Sequence, residues 1–406
     1  MTDLHVDGER LWRTLHELAE IGATDAGGVA RVALTDEDKA GRDQFVEWVV
    51  EIGCAIHLDR MGNLFARREG ADPGRDPVVI GSHLDSQPTG GKFDGAYGVM
   101  VGLEILRVLD DADHLTNAPI EVVSWTNEEG ARFPPAMLGS GVFGGEFSLE
   151  EGLGAATTDG TKLGDELVRI GYSGTEPCGE RPVGYYLEPH IEQGPILEAI
   201  GKPVGVVTGV QGIRWYDVSI KGFESHAGTT PMGRRSDPMV SAAHLISTVD
   251  DIAKARVDGR STVGVITSMP GSRNTVAGSV NLTVDLRHPD PDELSRMHDE
   301  LIEAASATDP SASVQQIWYS PPVVFNASVV EAIRESATES GFEPIDIVSG
   351  AGHDAVYINR VAPAGMLFIP CEEGLSHNEA ENIVVEHSTA GAEVTLQAVL
   401  RLADST

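Results

Sequence analysis

Five short segments carry most of the side chains that could do chemistry in this chain. They are Gly81-Ser82-His83-Leu84-Asp85-Ser86, Phe93-Asp94-Gly95, Thr126-Asn127-Glu128-Glu129-Gly130, Glu188-Pro189-His190-Ile191-Glu192-Gln193-Gly194 and Leu375-Ser376-His377-Asn378-Glu379. Together they offer three imidazoles and enough carboxylates to hold two divalent metals around one water. Two metals roughly 3.5–4 Å apart need a carboxylate that bridges them and terminal ligands on each side. Asp94 is the natural bridge, because its glycine-rich turn from Thr89 to Gly95 lets the backbone bend the carboxylate toward His83. Asp85, two residues past His83, is placed to orient that imidazole from behind. Adjacent side chains cannot point the same way, so one of Glu128 and Glu129 can ligate a metal while the other faces the water as general base.

Each piece alone carries little. A single histidine is usually a hydrogen-bonded surface or core residue, and a Glu-Glu pair is usually a solvated face. Other chemistries fail on the residues themselves. Gly90-Gly91-Lys92 is followed by Phe93 rather than Ser or Thr, so it is no phosphate loop. Ser140 stands in Gly139-Ser140-Gly141, which lacks the spacing of a serine-hydrolase elbow.

The elements that must position these segments read as an α/β sheet. Apolar spacing predicts helices over 11–21 and 45–52, the second after the acid-rich run 35–38. β-rich runs follow at 63–66, 77–80 and 120–125, with a helical stretch over 98–109 between the last two. Strand, helix, strand with buried-looking runs implies a sheet that is at least partly parallel, and such sheets place sites beyond the carboxyl ends of their strands. His83 closely follows one such run, and Glu128 and Glu129 the next.

The middle of the chain differs. Strand 215–220, helix 238–255, strands 263–269 and 280–286, helix 291–307 and strand 313–318 follow a β-α-β-β-α-β order, the split βαβ arrangement. The expected organisation is therefore a catalytic domain over 1–209 and 321–406, interrupted by a compact α+β insertion over 210–320. Helix 328–340, strand 365–369 and helix 387–402 complete the outer domain.

Composition narrows the partners. With 406 residues the chain is too long for a single core. Its 63 acidic and 29 basic residues give a net charge of −34, and lysine is absent after Lys254. Such a surface opposes nucleic acid and anionic membranes and is suited to high salt, where screening removes its self-repulsion. Cys54, Cys178 and Cys371 suggest no disulfide framework. The N-terminus carries no signal-peptide pattern, and no run approaches the roughly 20 apolar residues of a membrane span. A cytoplasmic protein is expected.

Read in order, these segments, extended to Pro195 after Gly194 and joined by Ser225-His226-Ala227-Gly228-Thr229-Thr230-Pro231-Met232, resemble the hydantoinase/carbamoylase branch of the M20 metallopeptidase family. The likeness runs from about residue 10 to the C-terminus, and His190-Ile191-Glu192-Gln193-Gly194-Pro195 is specific to this branch. The branch contains N-carbamoyl-L-amino-acid hydrolases, β-ureidopropionases and allantoate amidohydrolases. The resemblance implies the two-domain M20-like fold, with a mixed sheet covered by helices on both faces and the ferredoxin-like insertion acting as lid and dimerisation domain.

By position, the resemblance places His83, Asp94 and His190 on one metal, Asp94, Glu129 and His377 on the other, Glu128 as general base and Asp85 behind His83. It implies that His226 stabilises the developing oxyanion. Asn274 and Arg287 would grip a substrate carboxylate, while Gln193, Arg214 and Gly352 lie near the substrate. It also implies a homodimer whose lid residues complete the partner's site. The implied reaction is metal-assisted hydrolysis of the ureido carbon–nitrogen bond of an N-carbamoyl-L-amino acid. Glu128 would take the proton of the attacking water. Imidazole and carboxylate donors without thiolate suit Zn, Mn, Ni or Co alike. Allantoate or ureidopropionate hydrolysis, aminoacylase or exopeptidase action, and non-catalytic binding are the competing readings. Retention of Glu128 argues against the last. Ile213, where allantoate-specific members are expected to carry Gln, points away from allantoate.

Overall fold

A computed structural model describes residues 4–404. They divide into a larger unit, built from the chain up to Thr208 and from Phe325 onward, and a smaller unit, Gly209–Val324.

The heart of the larger unit is a mixed sheet. Its strands run in the order Ala55–Leu58, Leu64–Arg68, Ile120–Trp125, Val78–His83, Tyr185–Ile191, Ala364–Ile369 and Gly205–Val210. Ile120–Trp125, Val78–His83, Tyr185–Ile191 and Ala364–Ile369 are mutually parallel neighbours, and antiparallel strands flank them on both sides. Val78–His83, Ile120–Trp125 and Ala364–Ile369 are buried along their whole length, which is why they read as continuous apolar runs rather than alternating ones.

Helices cover both faces of this sheet. Helix Ala96–Asp111 lies on the Val122 side, where Gly98 and Gly102 leave room for Ser82 and Val122. Helix Leu138–Phe143 lies on the opposite side, with the Phe143 ring 5.2 Å from that of Trp125. Gly95 caps the first of these helices at φ +66, and a Cβ there would fall 2.3 Å from the His83 ring. Only glycine allows so close an approach in that backbone region.

The smaller unit is an antiparallel sheet in the order Ile266–Met269, Ser279–His288, Gly212–Lys221 and Ala312–Ser320, with Arg260–Thr262 also paired to Ser279–His288. Of the run expected as a strand over 263–269 only Ile266–Met269 is one; Val263, Gly264 and Val265 separate it from the short strand Arg260–Thr262 that precedes the run. Helices Pro238–Lys254 and Pro291–Ala307 each start with proline after an aspartate whose side chain accepts main-chain N–H bonds. Tyr216, Val218, Ile220, Leu245, Val249, Leu282, Leu294, Met297 and Leu301 form the core between helices and sheet.

Candidate metal centre

The carboxyl ends of the four parallel strands converge on one place. His83 ends Val78–His83, and in register it sits opposite Trp125, so Glu128 and Glu129 begin just beyond the neighbouring strand. His190 lies near the end of Tyr185–Ile191, opposite Phe368, and His377 follows the loop after Ala364–Ile369.

His83, Asp94 and His190 offer ligand atoms within 4.8 Å of one another, and so do Asp94, Glu129 and His377. Asp94 belongs to both sets and divides its oxygens between them. Oδ1 lies 3.3 Å from His190 Nε2 and 4.0 Å from His83 Nε2, while Oδ2 lies 3.4 Å from His377 Nε2. Glu129 Oε2 is 3.3 Å from the same His377 nitrogen. The His83 and His190 Nδ1 atoms each meet a main-chain carbonyl, that of Asp85 at 2.8 Å and that of Ile191 at 2.9 Å. A ring that donates from Nδ1 presents a lone pair on Nε2, and both Nε2 atoms turn toward Asp94. The donor set and its spacing fit divalent cations.

Electrostatics point the same way. Burial holds the His83 imidazole down at about 4, so it is neutral at pH 7 and able to ligate. Asp94 resists the upward push of burial because His190, His83 and His377 surround it, and its carboxyl is held below the usual range. Glu128 is pushed well above the carboxylate range by burial, then by Asp354, Glu129, Asp85 and Asp94. Glu129 is pushed up to about 9 by burial, with Asp94 and Asp85 adding to it. Several carboxyls crowded around the neutral His83 ring form a pocket short of positive charge.

Glu128 Oε2 lies 3.5 Å from His83 Nε2, at the edge of the first ligand set. Asp85 does not orient His83 through its carboxylate. That carboxylate accepts the main-chain N–H groups of Glu128 and Glu129, both at 3.2 Å, and the residue reaches His83 through its carbonyl instead. A side chain two residues along a chain leaving the strand end turns back toward the neighbouring loop, while its carbonyl stays within reach of the ring. Gln87 fixes Glu129, donating from its main chain at 3.1 Å and its side chain at 2.8 Å.

Gln193, at φ +56, donates to Asp94 Oδ2 at 2.9 Å and lies 3.1 Å from Ser376 Oγ. His377, at φ +53, is half exposed, unlike the buried His83 and His190. Left-handed backbone at two such non-glycine residues marks strain held by the surrounding contacts. Gly352 leaves space for the Met137 thioether, whose Cε a Cβ there would meet at 2.9 Å. Next to it, His353 packs its ring 4.6 Å from that of His190.

Four residues expected at the site belong to the smaller unit. His226 and Asn274 sit together there, since Ser225–His226 pairs with Thr275–Val276 and Ala227 N–H donates to the Asn274 carbonyl at 3.0 Å. His226 Nδ1 accepts from the N–H groups of Gly228 and Thr229 at 3.0 and 3.2 Å, so the ring proton of neutral His226 resides on Nε2. Arg214 and Arg287 lie on adjacent strands. The Arg214 guanidinium stacks 4.4 Å over the Tyr319 ring, and Arg287 Nη2 meets the Asp285 carboxylate at 2.8 Å.

Sequence reasoning missed Glu381, which is 2% exposed and accepts the N–H groups of Phe93 and Asp94. Glu188, quoted in a candidate segment without a role, is held by Ser82 Oγ at 2.8 Å and Ala355 N at 2.7 Å, and Asp354, two residues past Gly352, is hydrogen-bonded to Ser140. The only available signal was proximity to the motifs, because an acidic residue beside a turn reads as solvated.

A mixed α/β fold with paired His/carboxylate ligand sets at the strand ends defines a metallohydrolase-like protein, and comparison with known proteins gives the family. The profile of Peptidase family M20/M25/M40 matches residues 79–401, and the chain belongs to that family. The N-carbamoyl-L-amino-acid amidohydrolase of Rhizobium meliloti is 45% identical over 98% of this chain and 97% of its own length. The allantoate amidohydrolase of Bacillus subtilis is 32% identical, over 95% of each chain. A crystal structure of an amidase of the hydantoinase/carbamoylase family from Burkholderia multivorans matches with a TM-score of 0.96 and 51% identity, covering 99% of each chain.

Proposed function

We propose that the chain is a two-metal amidohydrolase that cleaves the ureido carbon–nitrogen bond of N-carbamoyl-L-amino acids, releasing amino acid, carbon dioxide and ammonia. The observation that carries the reading is the divided Asp94 carboxylate, one oxygen facing His190 and the other His377, with Glu128 beside His83. The substrate class follows from the relatives' names, and allantoate is the alternative those names support.

His83, Asp94 and His190 would hold one divalent ion and Asp94, Glu129 and His377 the second. The choice among Zn, Mn, Ni and Co is left open by an imidazole and carboxylate donor set. Bound there, the ions supply Lewis acidity toward a carbonyl oxygen and lower the pKa of water. Glu128, whose Oε2 stands 3.5 Å from His83 Nε2, accepts the proton of the attacking water and returns it to the leaving nitrogen. His226, with its proton on Nε2, donates to the developing oxyanion. Arg287 and Asn274 bind the substrate carboxylate, with Arg214, Gln193 and Gly352 shaping the surroundings. Arg287 must exchange Asp285 for that carboxylate, an exchange its planar fork permits.

The insertion is read as a lid and dimerisation domain in a homodimer whose subunits share sites. Sedimentation of a monomer at working concentrations contradicts that assembly. Among the described residues no helix is long and apolar enough to cross a membrane. We place the protein in the cytoplasm, in line with three unpaired cysteines.

The test is product analysis with metal-loaded enzyme on N-carbamoyl amino acids, ureidopropionate, allantoate and dipeptides. One ammonia per amino acid from the carbamoyl substrates is expected. Amino acid from dipeptides without ammonia would move the protein to the peptidase side of its family.

A further inference from the structure

We propose that Glu381 is a positioning residue that locks the bridging aspartate and the His377 loop into one unit, making the Asp94–Glu129–His377 set dependent on it. The inference rests on the two-metal reading above.

Glu381 belongs to neither ligand set. Its Oε1 accepts the main-chain N–H groups of Phe93 at 3.0 Å and Asp94 at 3.1 Å, which fixes the turn that presents the bridging carboxylate. Its Oε2 lies 3.1 Å from Ser376 Oγ, the residue before His377, and that hydroxyl is also 3.0 Å from Asp94 Oδ2. One buried carboxylate thus ties together two loops that are remote in sequence. The chain makes room for it: a Cβ on Gly91 would fall 2.0 Å from the Glu381 carboxyl carbon.

The two ligand sets differ in how much they need this tie. His83 and His190 are buried and held by carbonyls of their own chain segments. His377 is half exposed on left-handed backbone, so its place depends on what holds the loop from behind. Removing the Glu381 carboxylate therefore weakens the His377 set selectively.

Calorimetric titration of the metal-free protein with Mn²⁺ tests this, with thermal unfolding of each variant as a folding control. Wild type should show two binding events per chain. Glu381→Ala should keep one and weaken the other about tenfold or more. Gly91→Ala, which alters no functional group but displaces the carboxyl, should do the same, and the double variant should be no worse than either. Glu381→Gln should retain both events. Its carbonyl oxygen can accept the two N–H groups and its NH₂ can donate to Ser376. Two wild-type events alongside two unweakened events in Glu381→Ala and Gly91→Ala overturn the role of Glu381 and leave the two-metal reading intact. If Glu381→Ala does not fold, Gly91→Ala against Glu381→Gln decides in the same way. Fewer than two events in wild type overturn the two-metal reading and this inference together.

Discussion

Asp85 works in two directions: its carbonyl meets the His83 ring and its carboxylate meets the N–H groups of Glu128 and Glu129. Changing Asp85→Asn replaces one acceptor oxygen with a donor facing an N–H group. Turnover should fall roughly 10- to 100-fold with a parallel loss of metal affinity, measured by kinetics and elemental analysis. Glu128→Gln should behave differently. On the role proposed for Glu128, turnover should drop by about 10²-fold or more while metal content holds, because the proposed base is lost and the proposed ligands are not. Acidity adds a third check. In metal-free protein Glu129 titrates at about 9 against an ordinary value of 4.5, so the folded state binds its proton more tightly than the unfolded one. That contribution is fully present below about pH 4.5 and is lost as pH rises through about 9. Metal-free Glu129→Gln should therefore show a shallower decline of Tm with pH across that window. Metal affinity of the wild type should rise with pH, since the ion displaces the proton. At this scale the sequence exposed Glu128, Glu129 and Asp94 through residue type and place. His190 and His377 emerged from thirteen histidines only through the ordered motifs. Glu381 stayed hidden because burial, not residue type, sets it apart.

The strands decide where those residues meet. Gly95→Ala puts a methyl group into the His83 ring at a backbone angle that costs on the order of 1–3 kcal/mol for a residue with a side chain. Lower Tm and loss of the His83-containing metal set are the expected result, read by unfolding and Mn²⁺ titration; unchanged binding would show that the ring has slack. The runs at 77–80, 120–125 and 365–369 announced three of the four central strands. Tyr185–Ile191, which carries His190, was not expected, because Glu188-Pro189-His190 looks unlike an interior strand. The ladder between this strand and Val78–His83 stops at Leu187, so Pro189 needs no N–H on that side. The insertion was easier to read, since its two helices carry proline and aspartate start signals and its main strands alternate.

Over the whole molecule, a net charge of −34 makes self-repulsion a steady cost of folding. Exposed pairs such as Lys254 with Asp250 offset little of it. The Tm should climb by several degrees between low and molar potassium chloride as screening shortens the reach of the repulsion. Equal values in both would mark the charge as incidental.

The order in which the four central strands occur along the chain has a further consequence for biosynthesis. His83, Asp94, Glu129 and His190 emerge from the ribosome well before His377, whose supporting strand, Ala364–Ile369, enters between two strands already made. The nascent polypeptide can assemble at most one ligand set while its last part is still unsynthesised. On the two-metal reading proposed above, the second set is completed only after the segment carrying His377 is made, and cells starved of transition metals during growth should accumulate folded protein that can be activated afterwards.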